Sequence, residues 1–450
     1  MKNYTHIYAL NNNIAPDPLR NLFAIWQGRG ISRQTFYSHV HQFSQQLPDA
    51  QFAVNLCNDR YLFCVSFFAL LLRGQTNLLP PNKTENTLFE LSRLYPNSYC
   101  IFDQIDDPFP TQKILIDGKF NDELNYQFPQ ISTTQTAAIN FTSGSTGTPK
   151  AIEKSWGVLC EAAQLALHHF KLKESAYLVV STVPSQHMYG LETSVFWPYH
   201  SNLSVYSGET FYPEDIRRAI MSATIPCLLF STPAHLKALI ENGHSWNNIE
   251  TVFCSTAPLI HDLAKRIEQQ LEAPLLELFG STETMSFASR RPSETKYWTL
   301  YPSVKLKTNT RYQTLQTNYF KREIKLDDEL ELCEDGTFHI VGRRSDLVKV
   351  VGKRTSLSEL NNHLNQINGV HDGAFYVPQD NAENRRLGAL VVSDVCKSKI
   401  LSELKRMIDP VFLPRPLYKV PQIPRTEVGK IKDTELQQLI STLKNGIPIK

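Results

Sequence analysis

The chain has 450 residues, 42% of them hydrophobic and 20% charged, which is the balance of a globular protein long enough for two or more domains. A formal charge of +2 excludes a polyelectrolyte partner for the whole chain, so no nucleic acid is expected, although residues 344–450 carry +6 and the remainder −4. The eight cysteines (57, 64, 100, 160, 227, 254, 333 and 396) show no C-x-x-C spacing, which points to free thiols in a reducing compartment rather than disulfides or zinc.

The opening segment MKNYTHIYALNNNIAPDPL lacks the basic-then-apolar order of a secretory signal, so a cytoplasmic protein is expected. The apolar run YLFCVSFFALLL, Tyr61 to Leu72, is bounded by Arg60 and Arg73. It falls short of the roughly 20 residues that a spanning helix needs and predicts a buried core helix, with no membrane span. FAVNLC before it, and TNLLP, SYCIF and KILI after it, predict strands. Strand–helix alternation of this kind implies an α/β architecture with mainly parallel sheets.

The stretch FTSGSTGTPK, Phe141 to Lys150, follows the apolar run AAIN. It is not the common nucleotide loop, which sets its lysine beside the second glycine and a hydroxyl after it. Here Thr148-Pro149 separates Gly147 from Lys150, and Ala151 follows. Gly144 and Gly147 still allow backbone amides to turn inward as an anion nest. Ser143, Ser145, Thr146 and Thr148 offer hydroxyl donors, and Lys150 a compact charge. On composition alone, an ordinary surface loop reads equally well.

Further strands follow in AYLVVST, NLSVYS, PCLLFSTP, TVFCSTAPL and LLELFGSTE, several ending in small polar residues. In open α/β sheets ligands sit beyond the carboxyl ends of strands, so these ends are expected to converge on one cleft. After about residue 300 the texture changes. TFHIVGRRSDLVKVVGKR reads as two strands around a polar turn, SLSELNNHL as the start of a helix, GAFYVP and LGALVVS as paired strands, and KSKILSELKRMI as an amphipathic helix. That pattern predicts a small α+β domain, with the division at 1–343 and 344–450.

The ten-residue string resembles the (Y/F)-T-S-G-[ST]-T-G-x-P-K signature of the adenylate-forming superfamily, which includes acyl- and aryl-CoA synthetases, peptide-synthetase adenylation domains and luciferases. The other motifs of that superfamily occur in order. LFGSTETM resembles Y-G-x-T-E, and CSTAPL resembles G-G-A-P-L with Ser255-Thr256 where glycines are common. KLDDELELCEDG stands for the T-G-D segment with Asp327 in place of glycine, VGRRSD carries the G-R, and PRTEVGK near the C-terminus resembles P-R-T-x-x-G-K. The resemblance spans about residues 50–440. It implies a large N-terminal adenylate-forming domain of parallel and mixed sheets and a small mobile C-terminal lid.

By that resemblance ATP is held by Thr142, Ser143, Gly144, Ser145, Thr146, Gly147, Lys150, Ala257, Phe279, Gly280, Thr282, Asp328 and Arg343. Phe279 stacks on adenine, Thr282 touches the α-phosphate, Asp328 takes the ribose, and Glu283 ligates Mg²⁺, a hard cation that favours carboxylate oxygen. Lys430 is the catalytic lysine. Gly352 lines a pantetheine tunnel, and Ser345 or Asp346 is the pivot of the lid, Ser345 standing where an aspartate is customary. Taken singly, Glu283, Asp328 and Lys430 read as solvated surface; the motifs around them carry the assignment.

PSQHMYGLE resembles the P-x-x-H-x-x-G segment of acyl and aryl ligases, and His187 stands where amino-acid-activating relatives place an aspartate. The resemblance therefore implies a plain carboxylic acid, held among His187, Tyr189, Ser231, Ser255, Thr256 and Ser281. A mixture of aromatic and hydroxyl groups suits an aromatic acid such as 4-hydroxybenzoate better than a long alkyl chain. The compact form looks like the ligases of aryl-polyene and flexirubin pigment pathways, which implies transfer to an acyl carrier protein. Free CoA as the acceptor, or a nucleotide-binding module without turnover, are the alternatives.

Overall fold

The structure is a computed structural model that describes residues 21–104, 112–121, 126–142, 150–241, 245–309, 312–320, 322–343, 347–350, 353–378, 386–425, 431 and 433–444. Two large sheets dominate. The first has six strands, in the order Lys113–Leu115, Tyr99–Phe102, Phe52–Asn55, Thr76–Leu79, Thr136–Thr142 and Lys150–Ser155. All neighbours run parallel except the last pair. The second has nine strands: Thr299–Leu300, Met285–Arg290, Leu275–Ser281, Ile249–Cys254, Cys227–Ser231, Leu178–Ser181, Ser204–Tyr206, Leu22–Trp26 and Arg29–Ser32. Its middle is parallel and its two edges are antiparallel. The expected α/β class with parallel and mixed sheets is what the chain forms.

The apolar run forms the helix Arg60–Leu72, in which every residue from Tyr61 to Leu71 is buried. At 1.5 Å per residue it is about 20 Å long, too short for a bilayer. No helix among the described residues is long and apolar enough to cross a membrane. Asp59 caps the helix by accepting from Leu62 N, and also accepts from Trp26 Nε1 and Ser207 Oγ. Arg60 reaches across to the second sheet and donates to the carbonyls of Ser181 and Val183 at 2.9 Å each. One apolar cluster runs through both sheets, from Phe23 and Phe36 through Phe67 and Phe68 to Trp197 and Phe253. The two sheets therefore share a core.

From Val348 onward the apolar side chains gather in two clusters of their own. The strands Val370–Tyr376 and Gly388–Ser393 pair as the sequence suggests, and Leu417–Lys419 joins them in parallel. Phe338–Arg343 and Leu347–Val350 are both strands, but each pairs elsewhere: the first with Asp328–Leu332, the second with Lys353–Ser356. Six of the eight cysteines are buried free thiols, whereas Cys333 is half-buried and Cys396 exposed.

Candidate active site

Four adjacent parallel strands of the nine-stranded sheet end at Ser281, Cys254, Ser231 and Ser181; Ser231 stands opposite Cys254 and Ser181 opposite Phe230, while the first strand, whose Glu277 faces Cys254, runs four residues further to Ser281. The polar strand ends thus converge on one edge. The edge strands of the six-stranded sheet approach it: Thr142 pairs with Lys150 in antiparallel register, with residues 143–149 between them. Ser143, Gly144, Ser145, Thr146 and Gly147 lie outside the described residues, as do Ser345, Asp346, Gly352 and Lys430. The side chains of Thr142 and Arg343 are likewise not described.

Lys150 and Glu283, 133 positions apart, meet here: Lys150 Nζ donates to Glu283 Oε1 at 2.8 Å. Burial alone would raise the Glu283 carboxyl, but the Lys150 hydrogen bond and ammonium, together with its own backbone amide and Ser281, hold it below the usual carboxylate range. The hydrogen bond to Glu283 raises Lys150, and the charge of Asp327 adds to it. Asp327 is therefore near Lys150, and the next residue, Asp328, begins a strand opposite Arg343. Lysine charge, the acid of the Y-G-x-T-E-like motif and the start of the ribose-motif strand are brought together.

The turn carrying Glu283 is tightly built. Ser281 pairs with Met285, so Thr282, Glu283 and Thr284 form a three-residue connection between antiparallel strands. Thr284 is buried, accepts from Ser281 N at 2.9 Å and donates to Met285 O at 2.9 Å. Met285 closes the turn at φ 59°. A Cβ on Gly280 would lie 2.0 Å from Met285 O, so only glycine allows this closure. Thr282 is half-buried in the turn. Phe279 packs with Phe287, Trp298 and Phe338 at ring-centroid distances of 5.1, 5.2 and 5.9 Å.

The CSTAPL segment follows the strand Ile249–Cys254. Ser255 Oγ donates to Leu278 O at 2.9 Å, and Thr256 holds φ 84° in the left-handed region. Ala257 is half-buried beside it. A buried pair fixes the far end of the segment. Arg290 and Glu277 lie 2.6 Å apart as cross-strand partners; Glu277 accepts from Leu259 N at 3.0 Å and Arg290 donates to Leu259 O at 3.1 Å. The Arg290 guanidinium also covers the Trp298 ring at 4.6 Å, beside Phe279.

His187 precedes the short helix Met188–Leu191. A Cβ on Gly190 would stand 2.1 Å from Pro184 O, which accounts for the glycine of the motif. Tyr189 OH donates to Phe253 O at 3.0 Å, and Ser231 Oγ lies 3.0 Å from Thr182 Oγ1. Ser281 Oγ lies 3.2 Å from Thr284 Oγ1. The hydroxyls of the expected acid pocket are thus engaged with protein, each retaining acceptor capacity. Beneath them Phe230 and Phe253 stack at 4.8 Å, with Trp197 at 5.5 and 5.7 Å from the two rings.

Magnesium can be tested against this donor set. Among the described residues no group of three His, Cys, Asp or Glu could form a cage. One ionised carboxylate in a half-open turn matches a small octahedral cation that takes its other ligands from phosphate and water. The residues fit the ion. Sequence reading passes over Arg60, the Glu277–Arg290 pair and a buried lysine, Lys154, whose Nζ donates to Glu283 O at 2.6 Å. Only strand parity hints at the last, since positions 150 and 154 share a face.

The sequence model of the AMP-binding enzyme family matches residues 42–319, more than half of the chain. A putative long chain fatty acid-CoA ligase of Staphylococcus haemolyticus is 22% identical over 351 residues, covering 70% of this chain and 72% of the relative. The 2-succinylbenzoate–CoA ligase of Listeria monocytogenes is 23% identical over 424 residues, covering 85% and 87%. The structure of o-succinylbenzoate coenzyme A synthetase from Bacillus subtilis, in complex with ATP and magnesium ion, superposes with a TM-score of 0.77 at 16% identity, covering 93% of this chain and 96% of that one.

Proposed function

We infer the reaction of this chain from one premise: it belongs to the AMP-binding enzyme family, adenylate-forming acid–thiol ligases that use ATP. Our reading is that it joins a compact carboxylic acid to AMP with release of pyrophosphate, then passes the acyl group to the phosphopantetheine thiol of a carrier protein. The observation that carries it is the meeting of Lys150 and Glu283 at 2.8 Å. Two motifs far apart in the sequence supply a cation for phosphate and an anion for a metal at one place.

A carboxylate is a poor acylating agent because its leaving group would be oxide, and adenylation replaces that group with AMP. The attacking carboxylate is already ionised at neutral pH, so no general base is needed. Catalysis here is alignment and charge neutralisation between two anions. With ATP bound, Lys150 would pair with the phosphates and the Glu283 carboxylate would hold Mg²⁺. The ion, when bound, neutralises charge on the triphosphate. Thr282 meets the α-phosphate, Phe279 and Ala257 bound the adenine, and Asp328 with Arg343 receives the ribose. Lys430 brings its ammonium to the reacting oxygens from the small domain, residues 344–450. That domain then swings about Ser345 or Asp346 and admits the thiol past Gly352. The separate apolar clusters after Val348 support such a movement.

Stacked Phe230 and Phe253, backed by Trp197, lie against Tyr189 and favour an aromatic acid such as 4-hydroxybenzoate over a long alkyl chain. The +6 charge of residues 344–450 suits an acidic carrier protein and equally the phosphates of CoA. A second reading, transfer to free CoA, is favoured by the names of the relatives, which are CoA ligases. Pyrophosphate release with a panel of aryl and long-chain acids tests the first step. Release with aryl acids is expected; release with long-chain acids only overturns the aromatic reading, and ATP binding without release marks a silent module. Mass spectrometry with CoA and holo-carrier protein offered together then identifies the acceptor. Lys430→Ala is expected to cripple adenylation while largely sparing transfer from supplied acyl-AMP, and equal loss of both steps contradicts that division.

A further inference from the structure

Lys154 is 2% exposed, yet its ammonium sits directly behind the Glu283 turn. Lys150 and Lys154 project from the same face of one strand and grip the two ends of Glu283, the first its carboxylate at 2.8 Å and the second its main-chain oxygen at 2.6 Å. The Phe320 ring covers the ammonium at 5.2 Å. The charge of Glu192, also 2% exposed, reaches it without a direct ion pair. Ser286 holds both Glu192 oxygens, through its N–H at 3.0 Å and through its hydroxyl, and Tyr301 OH donates to Ser286 Oγ at 3.2 Å.

A buried ammonium and a buried carboxylate lose hydration that their attraction repays only in good geometry. Apolar side chains of similar volume would fill the same space at lower desolvation cost. Burial presses Lys154 down to about 8, against the opposing charges of Glu283 and Glu192. The two charges also join separate parts of the site. Glu192 opens a π-helical turn, Glu192–Phe196, just after the His187–Gly190 segment, and Ser286 follows Met285, whose left-handed backbone closes the acid turn. Irregular π turns of this kind recur at functional sites.

We propose that Lys154, which holds Glu283 O, and Glu192, which holds Ser286, are positioning residues that brace the Glu283 turn from behind and so aim its carboxylate at the metal of Mg·ATP, without touching the nucleotide. This rests on the reading of Glu283 given above. Residues that orient a metal ligand from behind typically change metal affinity or activity by roughly ten- to a hundred-fold when removed.

The test uses the full-length enzyme, Lys154→Met, Glu192→Gln and the double variant. Calorimetric titration with a non-hydrolysable ATP analogue, with and without Mg²⁺, is set beside thermal unfolding and the KM for the acid. Lys154→Met is expected to lower the unfolding temperature, because the buried Glu192 loses a nearby positive charge that offsets its own. It should also weaken Mg²⁺-dependent binding roughly ten- to a hundred-fold, leaving metal-free binding and the KM for the acid near wild type. In the double variant the unfolding temperature recovers and the weakening persists. A double variant that binds the Mg·analogue as wild type does overturns the proposal, as does a loss confined to metal-free binding. A wild-type enzyme that binds the Mg·analogue but releases no pyrophosphate with any acid defeats the functional reading instead, and leaves the pair to be judged by the titrations.

Discussion

At the scale of single residues, two glycines that look like motif decoration are backbone requirements. Gly280 and Gly190 each face a carbonyl oxygen, at 2.0 and 2.1 Å from where a Cβ would stand. Gly280→Ala is expected to lower stability by about 1–3 kcal/mol, as overpacking does, and to raise the KM for ATP by displacing the Glu283 turn. Urea unfolding and initial-rate kinetics check both, and unchanged values on both counts contradict the close packing of that turn. Thr256 shows the reverse case. A β-branched residue at φ 84° bears strain of roughly 1–2 kcal/mol where glycine would bear none. Thr256→Gly relieves that strain but adds about 0.5–1 kcal/mol of freedom to the unfolded chain. These two effects nearly cancel, so the loss of stability measured for Thr256→Gly by urea unfolding reports the contacts of the Thr256 side chain, and a gain above about 1 kcal/mol would contradict this balance.

At the scale of elements, the site is made by a hairpin and by what the hairpin grips. The strands Leu275–Ser281 and Met285–Arg290 bring Glu277 and Arg290 opposite each other, and that pair clamps both polar groups of Leu259. Arg290→Met leaves a buried carboxylate unpaired, so a loss of about 3–5 kcal/mol is expected, while adding Glu277→Gln recovers most of it. Unfolding of both singles and the double as a thermodynamic cycle measures this; additive losses would mean that the two side chains act independently. The motifs in this region were legible because each needs particular residues at a fixed short spacing. The clamp was not, since Glu277 and Arg290 look like ordinary charged residues until the strands pair. Lys154 was hidden for the same reason. The antiparallel pairing of Thr136–Thr142 with Lys150–Ser155 is likewise not legible, because KAIEKS lacks the apolar alternation of a strand.

At the scale of the whole molecule, strand–helix alternation gave the α/β class, whereas the change of texture near residue 300 does not mark an edge of the main core, which runs on to Phe338. What alternation does not give is the seating of one sheet on the other, which depends on side chains such as Arg60 that look like helix flanks. The shared core also holds two histidines among aromatic rings. His200 lies against Tyr199 at 4.9 Å and Trp156 at 6.3 Å, and His169 against Tyr301 at 4.4 Å. Burial holds His200 down to about 3, with Arg33 and Lys173 adding to it, and His169 down to about 4, with His168 adding to it. Both are neutral in the folded protein, whereas in the unfolded chain they take up a proton near pH 6.5. The folded state is therefore fully favoured above that pH and loses ground as the pH falls toward 4, by roughly 1–2 kcal/mol per histidine at pH 5. His200→Leu combined with His169→Gln should flatten the dependence of unfolding temperature on pH between 6.5 and 4, whatever it does to the temperature at pH 7. Parallel curves for variant and wild type would show that the acid sensitivity of this core lies in other groups.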